Sequence, residues 1–237
     1  ETARFAVPAF LILSAFLLTR KERQTATWDG AILSSGRIRR IAFAYTFWSA
    51  AYYGLMWMTG DAYRTEHAII AVFLAKFVTG GVSIHLYFLL VIMQFYLLSW
   101  FGVCPLGRCS KYCVFLGIVL HVISSGFHYL GLVVDMGRFG SFAMAVERSL
   151  FPGWFGYFLL GRWLAAHYDE LRAWLQMHRT VIGGVVFLCW LAAIGEWMLL
   201  KRLTGDPYLR PEHWMLIGNV YAAIMTLFLL SVAVKAS

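Results

Sequence analysis

A histidine beside a long apolar run is the first candidate for chemistry in this sequence. His85 follows the pair Gly80-Gly81 and lies at the start of the apolar segment 84–98, which also contains Tyr87 and Gln94. A polar side chain at membrane depth is costly, so its presence there indicates a functional site. The imidazole can act as a general base or hold a carbonyl or phosphate group. The structural alternative is an interfacial histidine that caps its helix or snorkels.

A cluster of arginines precedes the second apolar run. Arg37, Arg39 and Arg40 lie close together, and Arg20-Lys21-Glu22-Arg23 ends the first run. Guanidinium groups bind phosphates in a bidentate way, which would suit an acidic ligand such as coenzyme A. An excess of Lys and Arg also marks cytoplasmic loops, so membrane topology explains the cluster equally well. Under both interpretations we expect this loop to be cytoplasmic.

Two histidines share one face of the fifth apolar run. His121 and His128 are seven residues apart, which brings them to the same side of a helix. Such a pair can ligate haem or a metal if a second helix supplies partners, and His85 is the one well-placed candidate. We therefore expect packing or substrate-lining roles for this pair, and no metal site.

Three cysteines with the spacing C-x4-C-x3-C follow the apolar run that begins at Ile84. They are Cys104, Cys109 and Cys113. If this turn faces the outer, oxidising side, a disulfide between Cys104 and Cys109 is plausible. A zinc site is the weaker interpretation because the spacing is not a standard ligand set.

Three charged residues lie within or at the edge of apolar runs. Lys76 and Arg162 are expected to snorkel toward an interface. Glu196 lies close in sequence to Lys201-Arg202, which favours a place near an interface for its carboxylate.

The composition bounds the fold class. Of the 237 residues, 61% are hydrophobic and 14% are charged, which is far from the balance of a soluble domain. The sequence therefore predicts an all-α, polytopic transmembrane helix bundle forming a single domain, 1–237. The net charge of +8 fits positively charged cytoplasmic loops, so the lipid bilayer and not nucleic acid is the expected partner.

Hydropathy predicts about eight spans, each needing roughly 20 residues. The first loop is taken as cytoplasmic, so the fourth helix runs outward and the fifth runs inward. The amphipathic stretch 167–179 is expected to lie along the interface. The predicted helices are 5–19, 41–59, 67–79, 84–103, 112–133, 152–166, 181–200 and 214–234.

Three motifs in order resemble the membrane acyltransferase-3 family. The segment Val7-Pro8-Ala9-Phe10-Leu11-Ile12-Leu13-Ser14-Ala15-Phe16-Leu17 is similar to the second helix of that family. Arg37 and Arg40 match its cytoplasmic R-x-x-R. Gly80 and His85-Leu86-Tyr87-Phe88-Leu89 match its G-x4-H-L-W-F-L, with a tyrosine in place of the tryptophan.

The resemblance implies an integral-membrane O-acyltransferase of the bacterial inner membrane, from a family of about ten helices. Such enzymes move an acyl group, usually acetyl, from acyl-CoA to a hydroxyl of a cell-envelope glycan or lipid-linked sugar. Acyl-CoA is then a co-substrate, and no permanently bound cofactor is expected. The implied site residues are His85 as catalytic, Arg37 and Arg40 for the acyl-CoA phosphates, and Ser14, Tyr87 and Gln94 as substrate-lining.

The family's first helix, which bears its main catalytic histidine, has no counterpart in this chain. We expect that helix to precede Glu1. Two other classes stay open on the residues alone. A transporter or exporter of a sugar or small solute would use the arginines for topology only, and a haem protein would use the histidines as ligands.

Overall fold

The computed structural model describes residues 6–25, 36–59, 69–83, 86–100, 111–133, 150–205 and 216–236. Over these residues the chain is helical, as predicted, and no strand occurs in the described ranges. The α-helices are α1 (Ala6–Thr25), α2 (Gly36–Thr59), α3 (Ile69–Thr79), α4 (Tyr87–Trp100), α5 (Lys111–Val133), α6 (Phe155–Ala166), α7 (Tyr168–Met177), α8 (Arg179–Thr204) and α9 (Leu216–Ala236).

The helices fall into two compact units. The first unit contains α1, α5 and α6 to α9, and the second contains α2, α3 and α4. The predicted order of helices is confirmed, with several shifted boundaries. Helix α2 begins at Gly36, so Arg37, Arg39 and Arg40 lie in the helix and not in the loop before it. Helix α1 runs past its apolar part to include Arg20 and Arg23. Helix α4 begins at Tyr87, and Ile84 and His85, where it was predicted to start, lie outside the described residues.

The second unit is built on aromatic contacts between α2 and α3. Tyr45 and Tyr53 of α2 are buried, and their rings pack at 4.8 Å and 5.0 Å from Phe77 and Phe73. The Tyr45 hydroxyl donates a hydrogen bond to the Phe77 carbonyl. Because the earlier tyrosine of α2 meets the later phenylalanine of α3, the two helices are antiparallel.

Glycine ends α3 as the sequence predicts. Gly80 has φ of 70°, a left-handed conformation that suits a residue without a Cβ. The Gly81 amide donates to the Lys76 carbonyl at 2.8 Å, which satisfies one of the last carbonyls of the helix. On the far side of the turn, the Leu86 amide donates to the Ser83 carbonyl at 3.0 Å. Local hydrogen bonds therefore fix the backbone on both sides of His85.

In the first unit, α1 packs closely against α6. A Cβ at Gly161 would overlap the Ile12 carbonyl and would lie 2.8 Å from Ala15 Cβ. Further along both helices, Arg23 Nη1 donates to the Ala166 carbonyl at 3.0 Å. Since both contacts advance in the same direction, α1 and α6 are parallel. Small residues at such contacts let helix backbones approach in a membrane.

A second glycine contact joins α5 to α6. A Cβ on Gly117 would lie 2.9 Å from Gly156 Cα, and one on Gly156 would lie 3.0 Å from the Gly117 carbonyl oxygen. Four residues later on α5, His121 contacts Gly153, which precedes Gly156. Helix α5 is therefore antiparallel to α6.

These directions correct the predicted course of the fifth helix. Because α5 opposes α6 and α6 follows α1, Cys113 lies at the same end of the first unit as Arg23. The sequence predicted that the cysteine turn and the basic loop lie on opposite sides of the membrane. Within the first unit, Cys113 and Arg23 lie at the same end, so this prediction is wrong for Cys113. Cys104 and Cys109 themselves lie outside the described residues.

The amphipathic segment is a separate helix, α7, as predicted. The Arg20 guanidinium lies 4.3 Å from the centre of the Tyr168 ring, and Phe16 meets the same ring edge-on at 5.5 Å. Leu175 is buried, whereas Trp174 and Met177 are exposed. The basic end of α1 therefore fixes the start of α7.

Two of the described helices are long and apolar enough to cross a membrane. They are Arg179–Thr204 and Leu216–Ala233. Large apolar side chains such as Phe187, Leu188 and Leu191 are exposed on α8, as lipid contact requires. The apolar stretches Ile70–Thr79, Tyr87–Ser99 and Tyr112–Phe127 are shorter, so the expected total of about eight spans stays a prediction.

The α1–α6 contact generates a stability prediction. Gly161→Ala should lower the free energy of unfolding by about 1–3 kcal/mol, because the methyl group would meet the Ile12 backbone, which cannot move aside as a side chain can. The measurement is the thermal unfolding midpoint in detergent, followed by circular dichroism. Gly184→Ala is the control, since nothing lies within 4 Å of a Cβ at that position. Equal midpoints for the two variants would contradict the close approach.

Candidate functional site

The predicted donor-site residues belong to the second unit. His85 lies outside the described residues, and Arg37 lies in the first turn of α2 with its side chain outside what the structure describes. Arg40 is exposed one turn further along. Tyr87 is buried at the start of α4 and Gln94 is half-buried seven residues later, on the same helix face.

Ser14 was predicted to line the substrate site. It is half-buried in α1 and belongs to the first unit. Within the second unit, the described residues nearest in sequence to His85 are well packed. Val82 and Leu86 form one apolar cluster with Tyr45 and Tyr53.

The described residues of the first unit line a partly open cavity of about 230 Å³ between α5, α6 and α9. Its walls are largely apolar, and three polar side chains line it as well: His121, Tyr157 and Asn219. The apolar walls include Val114, Ile118, Val122, Leu160, Val220 and Ile224. The surface that faces the cavity is almost entirely apolar, because the polar atoms of these three residues are buried beneath it.

His121 is held in one orientation by α6 and the turn before it. Its Nδ1 lies 2.5 Å from the Gly153 carbonyl oxygen, and its ring meets Tyr157 edge-on at 5.1 Å. A carbonyl only accepts hydrogen bonds, so Nδ1 carries the proton. In the neutral ring Nε2 is then the hydrogen-bond acceptor.

Tyr157 and Asn219 form a buried polar pair across α6 and α9. The Tyr157 hydroxyl donates to Asn219 Oδ1 at 2.8 Å. Both residues are only 5% exposed. Asn219 Nδ2 has no hydrogen-bond partner within the part of the chain that the structure describes. A buried amide donor without an acceptor costs about 1–3 kcal/mol.

Glu196 positions Asn219 by capping α9. Its carboxylate oxygens accept from the amides of Leu216 and Ile217, both at 3.0 Å, and from Gly218 at 3.4 Å. These amides are the unsatisfied donors of a helix N-terminus, where a negative charge is also favourable. Asn219 directly follows Gly218, so the cap that Glu196 of α8 provides for α9 also fixes the position of the Asn219 side chain.

Sequence reasoning found part of this arrangement. His121 was predicted in a packing or substrate-lining role; its contacts with Gly153 and Tyr157 show the packing, and a substrate-lining role stays a prediction. Tyr157 and Asn219 were not singled out as site residues, although an asparagine in an apolar helix is the kind of signal that marks a membrane site. The prediction that Arg162 snorkels is wrong. Its side chain is 3% exposed, and its guanidinium carbon lies 5.7 Å from the centre of the Phe158 ring.

Among the residues with described positions, no group of three or more His, Cys, Asp or Glu side chains is placed to hold a metal ion.

Comparison with known proteins identifies one relationship. A family model described as an acyltransferase domain, of the acyltransferase-3 type, matches residues 1–236. No curated protein matches the chain. No solved structure matches it either.

The cap on α9 generates a second stability prediction. Glu196→Ala should cost about 1.5–3 kcal/mol of unfolding free energy, because three helix amides lose a charged acceptor. Glu196→Gln should cost less, since one carbonyl oxygen remains. Thermal unfolding midpoints measure both effects, with Glu170→Ala on the exposed face of α7 as the matched control. If Glu196→Ala behaves like the control, the cap does not support the fold.

Proposed function

Because the chain belongs to the acyltransferase-3 family, whose model covers residues 1–236, we propose that it is an integral-membrane O-acyltransferase. The donor is acyl-CoA, specifically acetyl-CoA, and the acceptor is a hydroxyl of a cell-envelope glycan or lipid-linked sugar. The family match is the observation that carries this proposal. The exposed apolar surface of α8 supports a place in a membrane, and we assign the protein to the bacterial inner membrane as a multi-pass protein.

The start of α2 suits the phosphates of the donor. Arg37 and Arg40 lie in the first two turns of this helix, and its first turn contains no acidic residue. The N-terminal end of a helix carries partial positive charge, which adds to the attraction of the guanidinium groups for phosphate. Arg40 is exposed and can therefore reach a ligand from the cytoplasm.

The reaction needs a base and a support for the thioester. The acceptor hydroxyl oxygen attacks the thioester carbonyl while a base removes its proton, and the carbon–sulfur bond then breaks to release coenzyme A as a thiol. His85 orients the carbonyl or assists the proton transfer. Tyr87 and Gln94, on one face of α4, line the path of the acceptor.

The roles of the arginines and His85 can be separated by kinetics of the full-length protein with labelled acetyl-CoA. Arg37→Ala or Arg40→Ala should raise the KM for acetyl-CoA about ten- to hundredfold, as expected for losing a charge-assisted contact. His85→Ala should instead lower kcat about a hundredfold or more. Arg39→Ala is the matched control, because this exposed neighbour lies outside the R-x-x-R pair.

Two results would count against the proposal at different levels. Wild-type kinetics for Arg37→Ala and His85→Ala would refute the site assignment while leaving the reaction intact. An intact protein that neither binds nor consumes acyl-CoA would refute the reaction itself.

A further inference from the structure

We propose that Tyr45 is a positioning residue for the acyl-CoA site, because its hydroxyl fastens the arginine-bearing start of α2 to the last turn of α3. This inference rests on the proposed function, in which Arg37 and Arg40 bind the phosphates of the donor. Tyr45 is buried and acts through the position of Arg40, which lies five residues earlier on the same helix.

Tyr45 is the first residue of α2 that is fully buried among those with described burial. Between Gly36 and Ala44, every residue whose burial is described is half-buried or exposed, and Arg40 is exposed. At the rise of an α-helix, this segment extends about 13 Å beyond Tyr45. A helix end with few buried contacts opens more easily than the rest of a structure. The position of the arginines therefore depends on the first fixed point behind them.

The Tyr45 hydroxyl provides that fixed point. It donates a hydrogen bond to the Phe77 carbonyl. This carbonyl belongs to the last turn of α3, where carbonyls have no partner within the helix. The Gly80 amide donates to the same oxygen at 3.4 Å. Because a carbonyl oxygen accepts two hydrogen bonds, the hydroxyl from α2 completes the cap of α3 and joins the two helices at one defined level.

The ring of Tyr45 contributes separately from its hydroxyl. Its centre lies 4.8 Å from that of the Phe77 ring, and the side chain belongs to a buried apolar cluster with Tyr53, Val82 and Leu86. Apolar contacts are non-directional, so they hold the helices together without fixing how far one has slid along the other. A hydrogen bond is directional and fixes that level. Tyr45→Phe removes the bond and keeps the ring.

The first test is the kinetics of the full-length protein with labelled acetyl-CoA. Tyr45→Phe should raise the KM about fivefold, the ratio expected for one hydrogen bond, and leave kcat within twofold of the wild type. In an Arg40→Ala background the same change should raise the KM less than twofold, because the residue through which Tyr45 acts is absent. Tyr53→Phe is the matched control, since this buried tyrosine packs between the same helices about two turns away, and its KM should equal that of the wild type.

The second test needs no acyl donor. Hydrogen exchange of the full chain in lipid nanodiscs, followed by mass spectrometry, reports how often the start of α2 opens. The amides of residues 40–44 should exchange about fivefold faster in Tyr45→Phe than in the wild type. Tyr53→Phe should leave the exchange of this segment unchanged.

The two tests separate the possible failures. Unchanged exchange over residues 40–44 in Tyr45→Phe would overturn the anchor. An equal rise in KM with and without Arg40, or the same rise in Tyr53→Phe, would show a general loss of structure and overturn the positioning role. If the wild type neither binds nor consumes acyl-CoA, the positioning role fails together with the proposed function, and the exchange result alone decides whether Tyr45 fastens α2 to α3.

Discussion

The close approach of two glycines, Gly117 on α5 and Gly156 on α6, is the constraint on which the first unit depends. A Cβ on either residue would lie 3.0 Å or less from the other's backbone. This contact lets His121, one turn along α5, reach the carbonyl of Gly153. In a bilayer, helices gain little from burying apolar surface against each other, so close packing of small residues decides which helices associate. The position of His121 therefore depends on two glycines, which have no side chain to keep the helices apart.

Polar groups in the first unit are held in pairs, which limits their cost at membrane depth. The amides that begin α9 are covered by Glu196, and the Tyr157 hydroxyl is covered by Asn219. Each unsatisfied group in hydrocarbon would cost several kcal/mol, so these partners keep the irregular helix ends compatible with lipid. Among the described residues, Asn219 Nδ2 and the hydroxyls of Thr19 and Ser125 are buried polar atoms of this unit without a hydrogen-bond partner. The pairing of polar groups in the first unit is therefore extensive but incomplete.

Hydropathy predicted the helices well because each apolar run is longer than a turn and is bounded by charges or glycine. The end of α3 at Gly80 is a case where the residue type alone gives the backbone conformation. The cavity was less predictable, since Tyr157 and Asn219 are 62 residues apart and only their helices bring them together. Glu196 was predicted near an interface because Lys201 is close in sequence. Its partners in the structure are backbone amides about twenty residues further on, which sequence patterns do not reveal. The donor site of the second unit stays a prediction, because His85 and the Arg37 side chain lie outside the described residues.

The basic residues at the end of α1 and the start of α2 have different contacts. These contacts help to distinguish residues that stabilise the fold from residues that could bind a ligand. Arg20 lies against the Tyr168 ring and Arg23 donates to the Ala166 carbonyl, so both hold the junction between α6 and α7. Moving either onto a phosphate would give up a contact that the fold already uses. Arg40 is exposed at the start of α2, where the helix dipole adds to its charge. A phosphate ligand therefore costs the fold less at Arg40 than at Arg20 or Arg23, which favours the R-x-x-R pair as the donor site over the rest of the cluster.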